Sequence, residues 1–184
     1  MTRLLVALAL AAALVSGCSL ARETPAVRYY VLALEPAAPT AMPGPVRVGT
    51  FTADPAYGSA RMAVRPSPYR IDYSSYHRWA APPRSLVAAT VRDYYAHVPD
   101  DGRTYLDVEG QVRRLETVRD GQGERAVIDV QLRAVRGGEV LVDRVYAEEE
   151  PLDGKGADAA AAATSRALGR ALARFTADVA ATSR

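Results

Sequence analysis

The chain has 184 residues, about half of them hydrophobic, which suits one compact domain with a tail or linker. Its 23 Lys plus Arg against 21 Asp plus Glu leave a formal charge of only +2, which argues against a dedicated nucleic-acid binder. One cysteine excludes an internal disulfide and a thiolate zinc site, and the two histidines, His77 and His97, leave little room for imidazole ligands.

In chain order, Met1-Thr2-Arg3 is a short basic head and Leu4 to Val15 an unbroken apolar run. About a dozen residues cannot cross a hydrocarbon core that needs roughly 20 in a helix, but they suit the h-region of an export signal. Leu14-Val15-Ser16-Gly17-Cys18 follows and resembles the bacterial lipobox. In that reading the Cys18 sulfur receives diacylglycerol, residues 1–17 are removed, and the new amino terminus is acylated. Several acyl chains on one residue meet the requirement for stable anchoring. Ser19, where an Asp would favour the inner membrane, resembles the default signal for the outer membrane, facing the periplasm. Residues 18–27, small or polar with Pro25, read as a lipidated tether, and residues 28–184 as the domain.

Within the domain, Arg28 to Leu34 predicts a first strand, Glu35 to Pro45 a loop with four prolines, and Val46 to Phe51 a second strand. Arg61–Arg65 and Tyr69–Tyr73 predict two edge strands around a stiff turn at Pro66-Ser67-Pro68. Pro82-Pro83 opens a helix over Arg84 to Val98, with Leu86, Val87, Val91, Tyr94, Tyr95 and Val98 at helical spacing. Tyr105 to Val118 alternates through Leu106, Val108, Gly110 and Val112, then slips phase at Arg113-Arg114, predicting a bulge. After a turn at Asp120–Gly123, Ala126, Ile128, Val130, Leu132 and Ala134 make one face of a strand. Gly137-Gly138 predicts a two-residue hairpin into Val140–Ala147. Lys155 to Arg184 is an alanine-rich helix with a stripe of Leu168, Ala171, Leu172, Phe175 and Val179. The expected class is α+β, a two-layer domain whose mixed, largely antiparallel sheet is covered by two helices on one face.

Catalytic signals are missing from the sequence. There is no Gly-x-Ser-x-Gly, the cysteine is claimed by lipid, and neither histidine has a carboxylate at a telling spacing. Asp120-Gly-Gln-Gly123 and Gly154-Lys-Gly156 lack phosphate-loop spacing. His97 suits a helix end, His77 suits packing, and Glu148-Glu-Glu150 reads as solvated charge rather than a cation site. No catalytic residue, metal or cofactor is expected, and the chain does not read as an enzyme.

One stretch exceeds this background. Tyr57, Tyr69, Tyr73, Tyr76 and the single tryptophan, Trp79, are interleaved with Arg61, Arg65, Arg70 and Arg78. Tyr, Trp and Arg are enriched at interface hot spots, where they bury much area and keep a polar tip. The turn should project from a sheet edge, so Arg65, Pro66, Pro68, Tyr69, Arg70, Tyr76 and Trp79 form a candidate partner interface. For Trp79, core filling is an equal alternative.

The order of motifs is a lipobox, Arg28-Tyr-Tyr-Val-Leu32, Val48-Gly-Thr-Phe51, Met62-Ala-Val-Arg65, Tyr69-Arg-Ile-Asp-Tyr73, and Tyr76-His-Arg-Trp-Ala-Ala-Pro-Pro83. It resembles the ABC-type transport auxiliary lipoproteins, the PqiC/YmbA-like family, most strongly over Met62 to Pro83. The resemblance implies a non-catalytic periplasmic component with a mixed sheet and helices. It also implies work beside an MCE-domain protein and its ABC permease and ATPase, which move lipid between the two membranes of Gram-negative bacteria. The leading expectation is a lipid-anchored adaptor at the outer membrane, acting by protein–protein contact, with a symmetric homo-oligomer as one working form. The alternative is an assembly or stability lipoprotein of another outer-membrane biogenesis machine.

Overall fold

The structure is a computed structural model that describes residues 25–34 and 42–183; the expected signal peptide, Cys18 and Ser19 lie outside the described residues. In chain order the elements are β1 (Arg28–Tyr30), β2 (Val46–Ala53), β3 (Arg61–Ser67), β4 (Arg70–Trp79) and α1 (Pro83–Tyr95). They continue as β5 (Leu106–Asp120), β6 (Gly123–Arg136), β7 (Glu139–Pro151) and α2 (Gly156–Thr182). One mixed sheet runs β1-β4-β3-β5-β6-β7, with β2 also on β5. The hairpins β3–β4, β5–β6 and β6–β7 are antiparallel, whereas β1 on β4 and both β2 and β3 on β5 are parallel.

The alternation of β6 decides which face is dry. Ala126, Ile128, Val130, Leu132 and Ala134 are fully buried, and the residues paired with them on β5 and β7 share their face. β5 keeps this phase only through the expected bulge, a register shift between Val112 and Arg114 that leaves Arg113 exposed. Without the extra residue Leu115 would turn to the wet side. With it, Val112 and Leu115 both face the core, opposite Val130 and Ile128, and Arg114 and Glu116 face away. The β6–β7 turn takes positive φ at Gly137 (58°) and Gly138 (87°), the geometry that twists a two-residue hairpin correctly.

Both helices lie on the dry face. Helix α1 crosses β2 and β5, α2 crosses β6 and β7, and the Tyr95 hydroxyl meets Thr176 Oγ1 at 2.8 Å between them. Leu86, Val87 and Val91 from α1 and Leu168, Leu172, Phe175 and Val179 from α2 fill one continuous core with the strands.

Three expectations change. β1 stops at Tyr30 rather than Leu34, because the Ala33 N–H donates to Ser165 Oγ (3.1 Å) and the chain is drawn across to α2. β3 is an interior strand, not an edge: β5 is long enough for β2 to pair at 106–112 and β3 at 116–118 along the same side. Between them Asp54–Ala60 steps off the sheet, held by the Asp54 N–H to the Val112 carbonyl (2.8 Å). Finally, Glu148 and Glu150 are not solvated. They face α2 and pair with Arg166, Arg170 and Arg174, at the fourth-residue spacing of the helix against the second-residue spacing of the strand.

Candidate partner-docking site

On the wet face a carboxylate is buried. Glu116 of β5 is 3% exposed, and the register places it beside Ala63 of β3 and Val127 of β6. Tyr57, in the short helical turn Pro55–Tyr57, donates its hydroxyl to Glu116 Oε2 at 2.8 Å. Arg65 Nε and Arg114 Nη2 each donate to Oε1 at 2.7 Å. Burial alone would push this carboxyl up, but the hydrogen bonds from Arg65, Arg114 and Tyr57 outweigh it, so it titrates below its ordinary value. Burial, then the bond to Glu116, raises the Tyr57 phenol to about 12, so it stays a donor. The bonds to Glu116 and Tyr57 raise the Arg65 guanidinium.

This cluster fixes the root of the β3–β4 hairpin. Arg65 also donates to the Tyr57 hydroxyl (3.2 Å) and to the Pro68 carbonyl (3.4 Å), so one side chain ties the hairpin's root to its turn. Tyr73, opposite Ala63 on β4, donates its hydroxyl to the Ala56 carbonyl at 2.8 Å and holds the second strand to the same turn. β3 pairs with β5 only through Arg65, so the missing N–H of Pro66 breaks no rung there. Beyond that point the hairpin overhangs the sheet. Pro68 and Arg70 are exposed, and Tyr69 is 99% exposed.

The sequence-predicted interface therefore divides. Pro66, Pro68, Tyr69 and Arg70 gather at the tip, with Arg70 in an exposed pair with Asp72 (3.2 Å). Arg65 is a brace rather than a free contact, because its guanidinium is committed to Glu116, Tyr57 and Pro68. Trp79 is 2% exposed and belongs to the core, which corrects its place in the interface. Tyr76, 39% exposed, lies three residues from the end of β4 that pairs with β1, away from the tip. His77 hydrogen-bonds the Tyr30 hydroxyl through Nδ1 (3.0 Å), and His97 is exposed just past α1. Glu116 and Tyr57 were not among the expected interface residues; Tyr57 lies in the aromatic–basic stretch, and the one sequence signal for Glu116 is the phase slip, which turns it with Arg114 away from the core face.

A sequence model described as the ABC-type transport auxiliary lipoprotein component matches residues 30–180. The chain belongs to that family. The matched span runs from the last residue of β1 into α2 and contains the whole hairpin and its brace. Among solved structures, protein XCC0632 from Xanthomonas campestris, of a family designated DUF330, superposes with a TM-score of 0.72 at 21% identity, covering 85% of this chain and 96% of its own. An uncharacterized protein superposes with a TM-score of 0.67 at 14% identity, covering 84% and 99% respectively. Both similarities establish the fold. No curated protein matches the sequence.

Family membership makes this chain an auxiliary component of an ABC-type transport system and a membrane-anchored periplasmic lipoprotein. Away from the hairpin, an open groove of about 570 Å³ lies between residues 31–34 and α2, walled by Val31, Leu34, Tyr94, Ala161 and Ala173. The arginines at its rim, Arg166 and Arg170, are already paired with Glu148 and Glu150. Among the described residues there is no cluster of metal-ligating side chains and no helix long and apolar enough to cross a membrane.

Proposed function

We propose that this auxiliary lipoprotein is a non-catalytic adaptor. Lipid on Cys18 anchors it to the outer membrane, and it presents the tip of the β3–β4 hairpin to the MCE-domain protein of an ABC lipid-transport system. The observation that carries the reading is Tyr69, 99% exposed at the end of a hairpin whose root is locked by a buried carboxylate. A tyrosine offers a large contact area at low conformational cost, and a rigid root lowers the ordering entropy of docking. Arg70 beside it supplies a charge that is only loosely held by Asp72. Tyr69→Ala with Arg70→Glu should reduce recovery of the MCE-domain protein in affinity capture from membrane extracts by about tenfold, the effect of one hot-spot contact. The melting temperature should not move. Unchanged recovery from a folded variant would remove the hairpin from the docking surface. Hydrolysis of a lipid or glycan that depends on His77 or His97 would overturn the non-catalytic assignment.

A further inference from the structure

β1 carries a surface that docking through the hairpin leaves unused. β1 meets β4 through three pairs, Arg28↔His77, Tyr29↔Arg78 and Tyr30↔Trp79, and its outer edge is unpaired among the described residues. Tyr30 and Trp79 turn into the core, whereas Val27, Tyr29 and Tyr76 are 40%, 65% and 39% exposed. Arg61 of β3 pairs with Arg78, so one row across three strands reads Tyr29, Arg78, Arg61 on a single face. Continuing the register by one residue places Val27 beside Tyr76 on that same face.

The charge here is one-sided. Arg28, Arg61 and Arg78 take part in none of the ion pairs among the described residues. Arg61 donates to the carbonyls of Ser74 and Tyr73 and lies over the Tyr73 ring, and the buried Arg78 Nε has no acceptor among the described residues. The only carboxylate on β1, β3 or β4 is Asp72, which pairs with Arg70 near the tip.

Chain length names the occupant. Cys18 precedes Arg28, the first residue of β1, by ten residues, and ten extended residues reach at most about 36 Å. A lipid on Cys18 thus keeps β1 within that distance of the bilayer. Tyrosine favours the membrane–water interface, where its ring is apolar and its hydroxyl wet, and arginines near it attract anionic headgroups. We propose that the face formed by Val27, Tyr29 and Tyr76, with Arg61 and Arg78, seats on the phospholipid headgroup layer of the membrane that holds the anchor. The proposal deepens the adaptor reading and rests on its lipidated Cys18. It also leaves the tip free: β4 runs from Arg70 to Trp79, so the seat and the tip lie roughly 25 Å apart along one strand.

The test uses the full lipidated chain, purified from membranes and reconstituted in vesicles of phosphatidylethanolamine and phosphatidylglycerol. With Cys18 lipidated, an introduced thiol is the one that takes a fluorescent label, at Tyr29→Cys or, as control, at Ala177→Cys on the exposed side of α2. Headgroup-spin-labelled lipid should quench the label at position 29 more than that at 177, by roughly twofold or better, and Val27→Glu with Tyr76→Glu should abolish the difference. Equal quenching at both positions, or no response to the double variant, overturns the seating while leaving the anchor intact. A disulfide joining the Tyr29→Cys thiols of two copies overturns it in favour of a contact between copies. Mass spectrometry finding no lipid on Cys18 would overturn the anchor itself, and the seating with it.

Discussion

A carboxylate withdrawn from water is strongly destabilising unless hydrogen bonds replace its hydration. Glu116 receives three such donors, from Tyr57, Arg65 and Arg114, and its depressed pKa records that they prevail over burial. A group whose pKa is lowered on folding stabilises the fold above its unfolded value, here near 4.5, and loses that contribution as pH falls through the folded value. Glu116→Gln should therefore cost about 2–3 kcal/mol in denaturant unfolding at neutral pH, with the gap to wild type narrowing below about pH 4. A gap unchanged by acid would show that shape, not ionisation, matters there. The same cluster separates two arginines that look alike in the sequence. Arg65→Glu sets a second carboxylate against Glu116, and should lower stability by about 3 kcal/mol, or roughly 6–12 °C in melting temperature. Arg70→Glu, at a side chain 66% exposed, should stay within about 0.5 kcal/mol of wild type. Comparable losses from both would mean that the tip is not independent of the brace.

Among the elements, the long antiparallel strands were the most legible. Each period-two run, the Gly137-Gly138 hairpin and the bulge at Arg113 is written in neighbouring residues, and both helices begin and end within a few residues of where spacing and proline place them. The parallel pairings were not legible. β2 and β3 share one side of β5 across more than fifty residues of chain, and no local pattern states that register. Gly110 shows what such a pairing requires. It occupies an inward slot on β5, and the ring of Phe51 from β2 lies across it; a Cβ there would stand 2.4 Å from Phe51 Cε1. Gly110→Ala should displace that ring and cost about 1–3 kcal/mol, a melting decrease of about 2–4 °C per kcal/mol. An unchanged melting temperature would mean that β2 shifts on β5 without strain.

At the scale of the whole molecule, the parts that bear on location and those that bear on folding are separable. The proposed anchor is read at the N-terminus, because the expected h-region and lipobox are contiguous in sequence. The candidate docking site was only half legible: composition marked the 57–79 stretch, but which of its aromatics point inward depends on pairings to β1 and β5 that composition does not contain. Trp79 and Tyr69, ten residues apart, end at 2% and 99% exposure. Among the described residues the buried core is assembled from residues between Tyr30 and Val179, all downstream of the lipobox in sequence. Cys18→Ala should then block lipidation and cleavage, leaving a precursor that keeps residues 1–17 and no longer fractionates with the outer membrane. Its domain should melt within about 1–2 °C of wild type, because the substitution leaves every core residue between Tyr30 and Val179 unchanged. Gel mobility, acyl-chain mass spectrometry and membrane fractionation read the first outcome, and thermal unfolding reads the second. A Cys18→Ala chain that still matures and reaches the outer membrane would show that something other than this cysteine sets its address.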